Sequence, residues 1–207
     1  MIQAIPKTVT FDEFIDWYPQ QSTVRYELHN GVIVEMPKPT GTHSRLAGWV
    51  SGKLFLEIDR RQSPYFIPKE CIVKSSDANS GYEPDVIVLS EAEIEDEPRW
   101  QKESIITRGR SIPLIIEVVS TNWHDDYALK LEEYELMGIA EYWILDYLGI
   151  GGRRYIGNPK QPTFSICCLQ NGEYEISRFQ GSDRIQSLIF PELDWTVDRV
   201  FQKARSL

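Results

Sequence analysis

Two short apolar runs in the middle of the chain predict the centre of a buried β-sheet. In residues 113–120, four apolar residues precede Glu117 and two valines follow it. Residues 83–89 are entered through Pro84-Asp85 and continue as Val-Ile-Val-Leu. Runs of β-branched residues opened by proline are typical of central strands. An ionised carboxylate is costly to bury unless it is paired or binds a cation, so Glu117 marks a candidate site.

Helical periodicity predicts two helices that pack on this sheet. Apolar residues recur every four positions on one face from about His43 to Arg61, which indicates a long helix. Helical spacing resumes over residues 123–137, ends at Gly138, and is followed by an aromatic and apolar strand at 140–146. The strand, helix, strand order across 113–146 predicts a parallel crossover unit.

The remaining segments predict smaller elements at both ends. A capping box at Thr10 to Glu13 starts a short helix, and Asn30-Gly31 is the signal of a tight β-hairpin. Strands are predicted at 153–156, 164–169 and 174–179, followed by a final helix from about Val197, while residues 77–82 are predicted as a loop. No repeat or linker interrupts the pattern, which predicts a single domain over residues 1–207.

Composition and charge exclude several classes of protein for this chain. The chain is 42% hydrophobic and 26% charged, which is ordinary for a globular domain. No apolar run approaches the roughly 18 residues of a membrane span, Met1 to Lys7 does not resemble a signal peptide, and three cysteines are too few for a disulfide framework. We therefore expect a cytoplasmic protein. The net charge of −9 argues against a coat of basic residues for nucleic acid, but not against a local basic face.

The spacing of three residues suggests metal-dependent chemistry. If the two central strands are neighbours, Asp85 and Glu117 lie side by side, where they repel unless one is protonated or a cation binds. Oxygen ligands on rigid strands suit Mg²⁺, and a nearby lysine could act on a phosphate or the attacking water. Lys130 follows Asp126 by four residues, so a surface ion pair explains the same spacing equally well.

The order of the motifs resembles a known family. Glu-Pro-Asp-Val-Ile-Val-Leu at 83–89 is followed by Pro-Leu-Ile-Ile-Glu-Val-Val-Ser at 113–120, and then by residues 126–143 with Asp, Lys, Tyr and Gly every four positions before Glu-Tyr-Trp. Together they resemble the Uma-two-type group of restriction-endonuclease-like proteins in the PD-(D/E)XK nuclease superfamily. Residues 26–31 and 190–193 resemble the same group.

This resemblance implies an α/β (α+β) fold: a restriction-endonuclease-like mixed central β-sheet flanked by helices, with an N-terminal hairpin and a β-rich C-terminal part. It implies that Asp85 and Glu117 are metal carboxylates and that Glu27 is an additional acid at the site. The superfamily usually has its lysine two residues after the glutamate, where this chain has Val119. Lys130 is then the replacement, as in lysine-migrated branches of the superfamily.

Other residues have a catalytic interpretation beside a structural one. His43 could orient a water or contact a phosphate, or it is a partly exposed residue at a helix start. The aromatic pair Tyr142-Trp143 could stack on bases, but such residues in an apolar strand are more often core. Basic residues that could contact phosphate, or simply be solvated, are Arg60, Arg61, Arg108 and Arg110.

The function predicted from the sequence is an endonuclease that uses Mg²⁺, with Mn²⁺ as a substitute, to hydrolyse DNA. The resemblance also implies a homodimer by analogy with other members of the superfamily. One alternative is a nuclease-fold protein that binds a partner or nucleic acid without cutting it, which Val119 and the net charge of −9 favour. Another is a metal-dependent hydrolase of small phosphoesters.

Overall fold

The fold is built from two β-sheets and the helices that cover them. The computed structural model describes residues 8–19, 24–77 and 79–205. The strands are β1 (Arg25–His29), β2 (Val32–Met36), β3 (Tyr65–Phe66), β4 (Ile72–Lys74), β5 (Gly81–Tyr82), β6 (Val86–Ser90), β7 (Ile105–Ile106), β8 (Leu114–Val118), β9 (Glu141–Asp146), β10 (Thr163–Gln170) and β11 (Glu173–Phe179). The α-helices are α1 (Phe11–Trp17), α2 (Gly41–Arg61), α3 (Glu91–Ile94), α4 (Trp100–Glu103), α5 (Lys130–Met137), α6 (Arg153–Ile156) and α7 (Val197–Arg205).

The central sheet has six strands in the order β11-β10-β9-β8-β6-β3. β8 runs antiparallel to β6 on one side and parallel to β9 on the other. The helical segment between β8 and β9 makes the parallel crossover that the sequence predicts, because parallel neighbours need a long connection. The sheet is therefore mixed and flanked by helices, as predicted.

Opposite faces of β8 belong to two different cores, because side chains alternate along a strand. Leu114, Ile116 and Val118 pack in the core that includes the apolar face of α2 and residues of α7. Ile115 and Val119 pack in a second core that includes Tyr134 of α5. Glu117 has the parity of that second face, so its carboxylate points to the side from which α5 approaches.

The N-terminal hairpin joins a separate sheet of five strands, ordered β2-β1-β5-β4-β7. Asn30 and Gly31 have φ angles of 49° and 81°, which is the left-handed pair that a tight hairpin turn requires. β1 pairs with β5 through Leu28 and Gly81. This pairing brings β1 beside the segment that leads into β6, and so places Glu27 near the central sheet.

Two local predictions are wrong. Residues 153–156 form the short helix α6 rather than a strand, since Gly152 starts a turn in which the amides of Tyr155 and Ile156 both bond back to its carbonyl. Residues 81–82, predicted as loop, form β5 because β1 and β4 both offer them backbone partners. Among the described helices, none is long and apolar enough to cross a membrane.

A close backbone contact at Gly109 supports the end of α5. A methyl group added at Gly109 would lie 2.0 Å from the Met137 carbonyl oxygen. A methyl group added at Gly48, on the exposed face of α2, would meet nothing within 4 Å. We therefore expect Gly109→Ala to lower the free energy of unfolding by about 2 kcal/mol or more. Gly48→Ala should raise it by about 0.5–1 kcal/mol, since alanine is the better helix former. Urea unfolding of both variants measures this, and equal effects would contradict the contact.

Candidate active site

Asp85 and Glu117 face each other across two neighbouring strands. Val86 pairs with Ile116, so the same register sets Asp85 at the entry to β6 opposite Glu117 near the end of β8. Each carboxylate accepts a hydrogen bond from the other segment: the Val118 amide donates to Asp85 Oδ2 at 2.9 Å, and the Asp85 amide to Glu117 Oε2 at 3.4 Å. The predicted adjacency of the two acids is confirmed.

Lys130 reaches Glu117 from the crossover segment. Its Nζ lies 3.0 Å from Glu117 Oε1 and 3.1 Å from Glu27 Oε1. A π-helical turn, Asp125–Leu129, directly precedes Lys130, and such turns recur at functional sites. The sequence also predicts that the Lys130 ammonium points at both Asp85 and Glu117, and the Asp85 half is wrong: within 4.0 Å and among the described residues, its carboxylate partners are Glu117, Glu27 and Asp126.

Asp85 is paired with His43 instead. His43 is in the first turn of α2, where Thr40 caps the helix by accepting from the His43 amide. Its Nε2 lies 3.1 Å from Asp85 Oδ2. Asp85 is therefore paired with the imidazole, whereas Lys130 contacts the other carboxylates. The ring is buried, contrary to the interpretation as a partly exposed residue. Its Nδ1 has no hydrogen-bond partner among the residues described.

Glu27 anchors the lysine. It is 1% exposed and accepts from Lys130, from the Glu83 amide at 3.1 Å and from His29 Nε2 at 2.8 Å. Burial opposes its ionisation, but Lys130 and His29 outweigh burial and hold the pKa of Glu27 at about 2. The Glu27–Lys130 contact is therefore an ion pair, and Glu27 shares a cavity with Asp85 as expected.

Burial shifts the other acids of the cluster toward their neutral forms. Burial raises the pKa of Glu117 to about 7, and the charges of Asp85 and Glu27 add to this while Lys130 opposes it. Burial likewise raises the pKa of Asp126 well above its usual range. Asp126 is not half of a surface ion pair, since it is buried and its Oδ1 is 4.0 Å from Lys130 Nζ. A bound cation would stabilise the ionised forms of Glu117 and Asp126 and so offset their burial.

An open cavity of about 250 Å³ gives access to these groups. Its walls come from the hairpin, the start of α2, the entry to β6, the end of β8 and the loops after β8 and β9. The polar residues that line it are Arg25, Glu27, Lys38, Thr40, His43, Glu83, Asp85, Glu117, Ser120, Thr121, Asn122, Asp126 and Lys130. All five predicted site residues therefore line one cavity.

Several candidate residues lie elsewhere. Arg60 and Arg61 pair with Glu192, and Arg110 pairs with Glu93 and Asp96 at the surface. Neither these arginines nor Arg108 line the cavity. Tyr142 and Trp143 are fully buried in the two cores, which confirms the structural interpretation of that pair.

Sequence patterns missed the residues that complete the site. Arg25 and Lys38 supply positive charge at the cavity, and the Tyr134 hydroxyl donates to Glu117 Oε1 at 3.2 Å, beside Lys130. Arg25 is the first residue of β1 and Lys38 lies in a loop, so neither shows a periodic signal. Tyr134 could have been found, since it follows Lys130 by four residues on the same helical face.

The donor set suits Mg²⁺ better than a metal that needs several protein ligands. Within the described parts of the chain, there is no group of three or more His, Cys, Asp or Glu side chains that could hold a metal ion. Mg²⁺ keeps several waters and is usually bound by one or two carboxylates with substrate phosphates. Asp85 and Glu117 supply such a pair in an acidic cavity, so the residues present fit this ion.

Comparisons with known proteins agree with this architecture. A Synechocystis protein, sll1609, itself uncharacterized, is 27% identical over 166 residues, covering 75% of this chain and 89% of its own. The crystal structure of a "putative nuclease" belonging to DUF820 from Anabaena variabilis shares the fold, with a TM-score of 0.71 and 18% identity over 95% of this chain and 99% of that one. Residues 11–198 match the model of the Uma2 family, described as "Putative restriction endonuclease". Because that match spans nearly all of the chain, this protein belongs to the Uma2 restriction-endonuclease family.

Proposed function

We propose that this protein is a Mg²⁺-dependent endonuclease that hydrolyses phosphodiester bonds in DNA. One observation carries the proposal: the facing carboxylates of Asp85 and Glu117, with the Lys130 ammonium 3.0 Å from Glu117, line one open cavity. Membership of a family described as restriction endonucleases supports the reaction class. The nuclease title of the Anabaena structure supports it further.

Each residue has a role in this proposal. Asp85 and Glu117 would hold Mg²⁺, which when bound supplies Lewis-acid stabilisation of phosphate charge and lowers the pKa of a bound water. Lys130 presents a fixed positive charge beside Glu117 for the negative charge that develops on the phosphate. Glu27 holds that ammonium in place, and His43 holds the Asp85 carboxylate.

Val119 does not prevent this chemistry. Val119 is buried in the core beside α5, so the strand itself offers no cation at that position. Lys130 enters from the helical segment that covers the same face and reaches the carboxylate directly. The site is therefore not short of a lysine, which favours the enzyme over a nuclease-fold protein that only binds.

The test combines cleavage with metal binding. We expect the parent protein to cut plasmid DNA with Mg²⁺ or Mn²⁺ and to stop when EDTA removes the ion. Glu117→Gln should weaken Mn²⁺ binding, measured by calorimetry, by about tenfold or more, since it removes one charged ligand. Glu175→Gln, which removes an exposed charge on β11, serves as the matched control.

Two results would contradict the proposal. Equal Mn²⁺ affinity in the parent and in Glu117→Gln would remove the metal site from this cavity. A parent that binds the ion but cuts no DNA, whether supercoiled, linear or single-stranded, would favour a nuclease-fold protein that binds without cutting. If such a parent still cleaved a small phosphodiester, it would instead be a metal-dependent hydrolase of small phosphoesters.

A further inference from the structure

A cluster of aromatic and basic side chains lies beside the cavity, on a protein whose net charge is −9. Two segments form it: the start of the crossover helix after β8, and α6 with the loop that follows it. We call this cluster the basic platform. Its members are Trp123, His124, Arg153, Arg154, Tyr155 and Lys160.

Aromatic rings lie against two of the platform's cations. Lys160 Nζ lies 5.9 Å from the centroid of the Trp123 ring, and Arg154 Cζ lies 5.2 Å from that of Tyr155. The centroids of the Trp123 and Tyr155 rings are 6.2 Å apart and their planes are inclined by 67°, and His124 stacks on Trp123. Cations placed over ring faces are attracted to them and lose less freedom when they bind an anion.

The cations of the platform form no ion pair with a carboxylate among the described residues. Arg153, Arg154 and Lys160 are exposed, and among the described residues none has a carboxylate within 4 Å. Lys160 instead donates to the Ile150 carbonyl, and the Arg178 guanidinium adds a charge as it donates to the Arg154 carbonyl.

Three other surface arginines differ in this respect. Arg60, Arg110 and Arg184 each form ion pairs with surface carboxylates. The platform is therefore a local site of unbalanced positive charge on an acidic protein.

The platform continues from the cavity along two stretches of chain. Ser120, Thr121 and Asn122 line the cavity, and Trp123 follows them directly. Leu148 also lines it, four residues before Gly152. Gly152 packs against Trp123 so closely that an added methyl group would lie 3.0 Å from the indole ring, which fastens the two stretches together.

We propose that the basic platform binds the phosphate backbone of the DNA strand that runs on from the cavity. Repeated phosphates are the anion that matches several exposed cations grouped beside a hydrolytic site. This inference rests on the proposed function, which places a DNA strand in the cavity. It adds the surface that binds the part of that strand lying outside the cavity. It also explains how a protein of net charge −9 can bind a polyanion: cations grouped beside the cavity attract phosphates locally, although the whole chain is acidic.

Binding is measured by fluorescence anisotropy with a labelled DNA duplex of about 20 base pairs, in EDTA so that no cleavage occurs, at salt concentrations from roughly 50 to 200 mM. The platform variant is Arg153→Ala/Arg154→Ala/Lys160→Ala. The control is Arg60→Ala/Arg110→Ala/Arg184→Ala, which removes the same charge from the acid-paired arginines. A third variant, Arg153→Lys/Arg154→Lys, keeps the charge.

We expect the platform variant to bind about tenfold more weakly or worse at the lowest salt, and its slope of log affinity against log salt to fall by about 3, one for each phosphate that the variant no longer neutralises. The control should stay within about twofold of the parent. The charge-keeping variant should retain most of the parent's slope. Equal losses of affinity in the platform and control variants, or no DNA binding by the parent, would overturn the platform.

The cleavage assay separates this inference from the proposed function. If the parent and the platform variant bind DNA with equal affinity and cut it at equal rates, the platform is overturned and the proposed nuclease activity stands. A parent that binds DNA through the platform but never cuts it would support the platform and contradict the nuclease.

Discussion

Lys130→Ala is expected to lower the rate of metal-dependent DNA cleavage by about 100-fold or more, the usual cost of removing a group that stabilises charge in a transition state. Lys130 provides the ammonium beside Glu117, and Val119 leaves no second cation at the usual position on the strand. The loss should appear in kcat at saturating Mg²⁺, measured on supercoiled plasmid.

The matched control is Tyr134→Phe. The Tyr134 hydroxyl donates to the same Glu117 oxygen as Lys130, so this variant removes an uncharged donor and keeps the ammonium. We expect it to cut within about tenfold of the parent, since the ammonium that stabilises the transition-state charge remains in place. If Lys130→Ala cuts as fast as Tyr134→Phe, the lysine has no role in the reaction.

Lys130→Ala also unpairs buried acids, so its rate must be measured on folded protein. Removing one partner of a buried ion pair costs about 3–5 kcal/mol of stability. Lys130→Arg avoids this problem because it keeps the positive charge. We expect it to fold like the parent and still to lose activity, because a planar guanidinium does not replace a compact ammonium between two carboxylates.

The centre of the site could be predicted from sequence because its residues belong to strongly patterned elements. Asp85 and Glu117 are single acids at the ends of apolar runs, and β-pairing of two such runs sets them side by side. Lys130 could be predicted to lie near Glu117 because it is on the crossover helix, and a crossover helix packs on a face of the sheet that it connects. Burial supplied the signal: a carboxylate in an apolar strand requires a partner.

The rest of the site depends on contacts between distant parts of the chain. The Glu27–Lys130 pair joins residues 103 positions apart, through a hairpin that belongs to a different sheet. The pairing of His43 with Asp85 depends on where α2 starts relative to β6, which no periodicity specifies. Arg25 and Lys38 lack any regular pattern, so only the packed structure shows that they line the cavity.

The same limit applies to surface charge. The formal charge of −9 describes the whole chain, and it argues against DNA only if charges are spread evenly. Three of the four arginines that stood out in sequence, Arg60, Arg61 and Arg110, are paired with acids. Arg153 and Arg154, assigned to a strand by their local pattern, lie on a helix beside the cavity loops.

Glu27→Ala is expected to lower the free energy of unfolding at pH 7 by about 3–5 kcal/mol, because it leaves the buried Lys130 with one fewer counter-charge. The lowered pKa of Glu27 predicts a similar size: a pKa of about 2 against 4.5 for an ordinary glutamate corresponds to about 3 kcal/mol. Glu35→Ala is the matched control. Glu35 is exposed on the partner strand of the same hairpin, so its loss should change stability by about 0.5 kcal/mol or less.

The pH dependence of that difference distinguishes the ion pair from simple loss of packing. A carboxylate whose pKa is lowered in the folded state stabilises the protein above its unfolded pKa, and the contribution is lost as pH falls through the folded value. The stability gap between the parent and Glu27→Ala should therefore be largest near neutral pH and narrow as pH falls from about 5 towards 2. Urea unfolding at several pH values measures it. A gap that stays constant across that window would show that Glu27 is held by packing and hydrogen bonds alone, and that the Lys130 ammonium does not depend on it for charge.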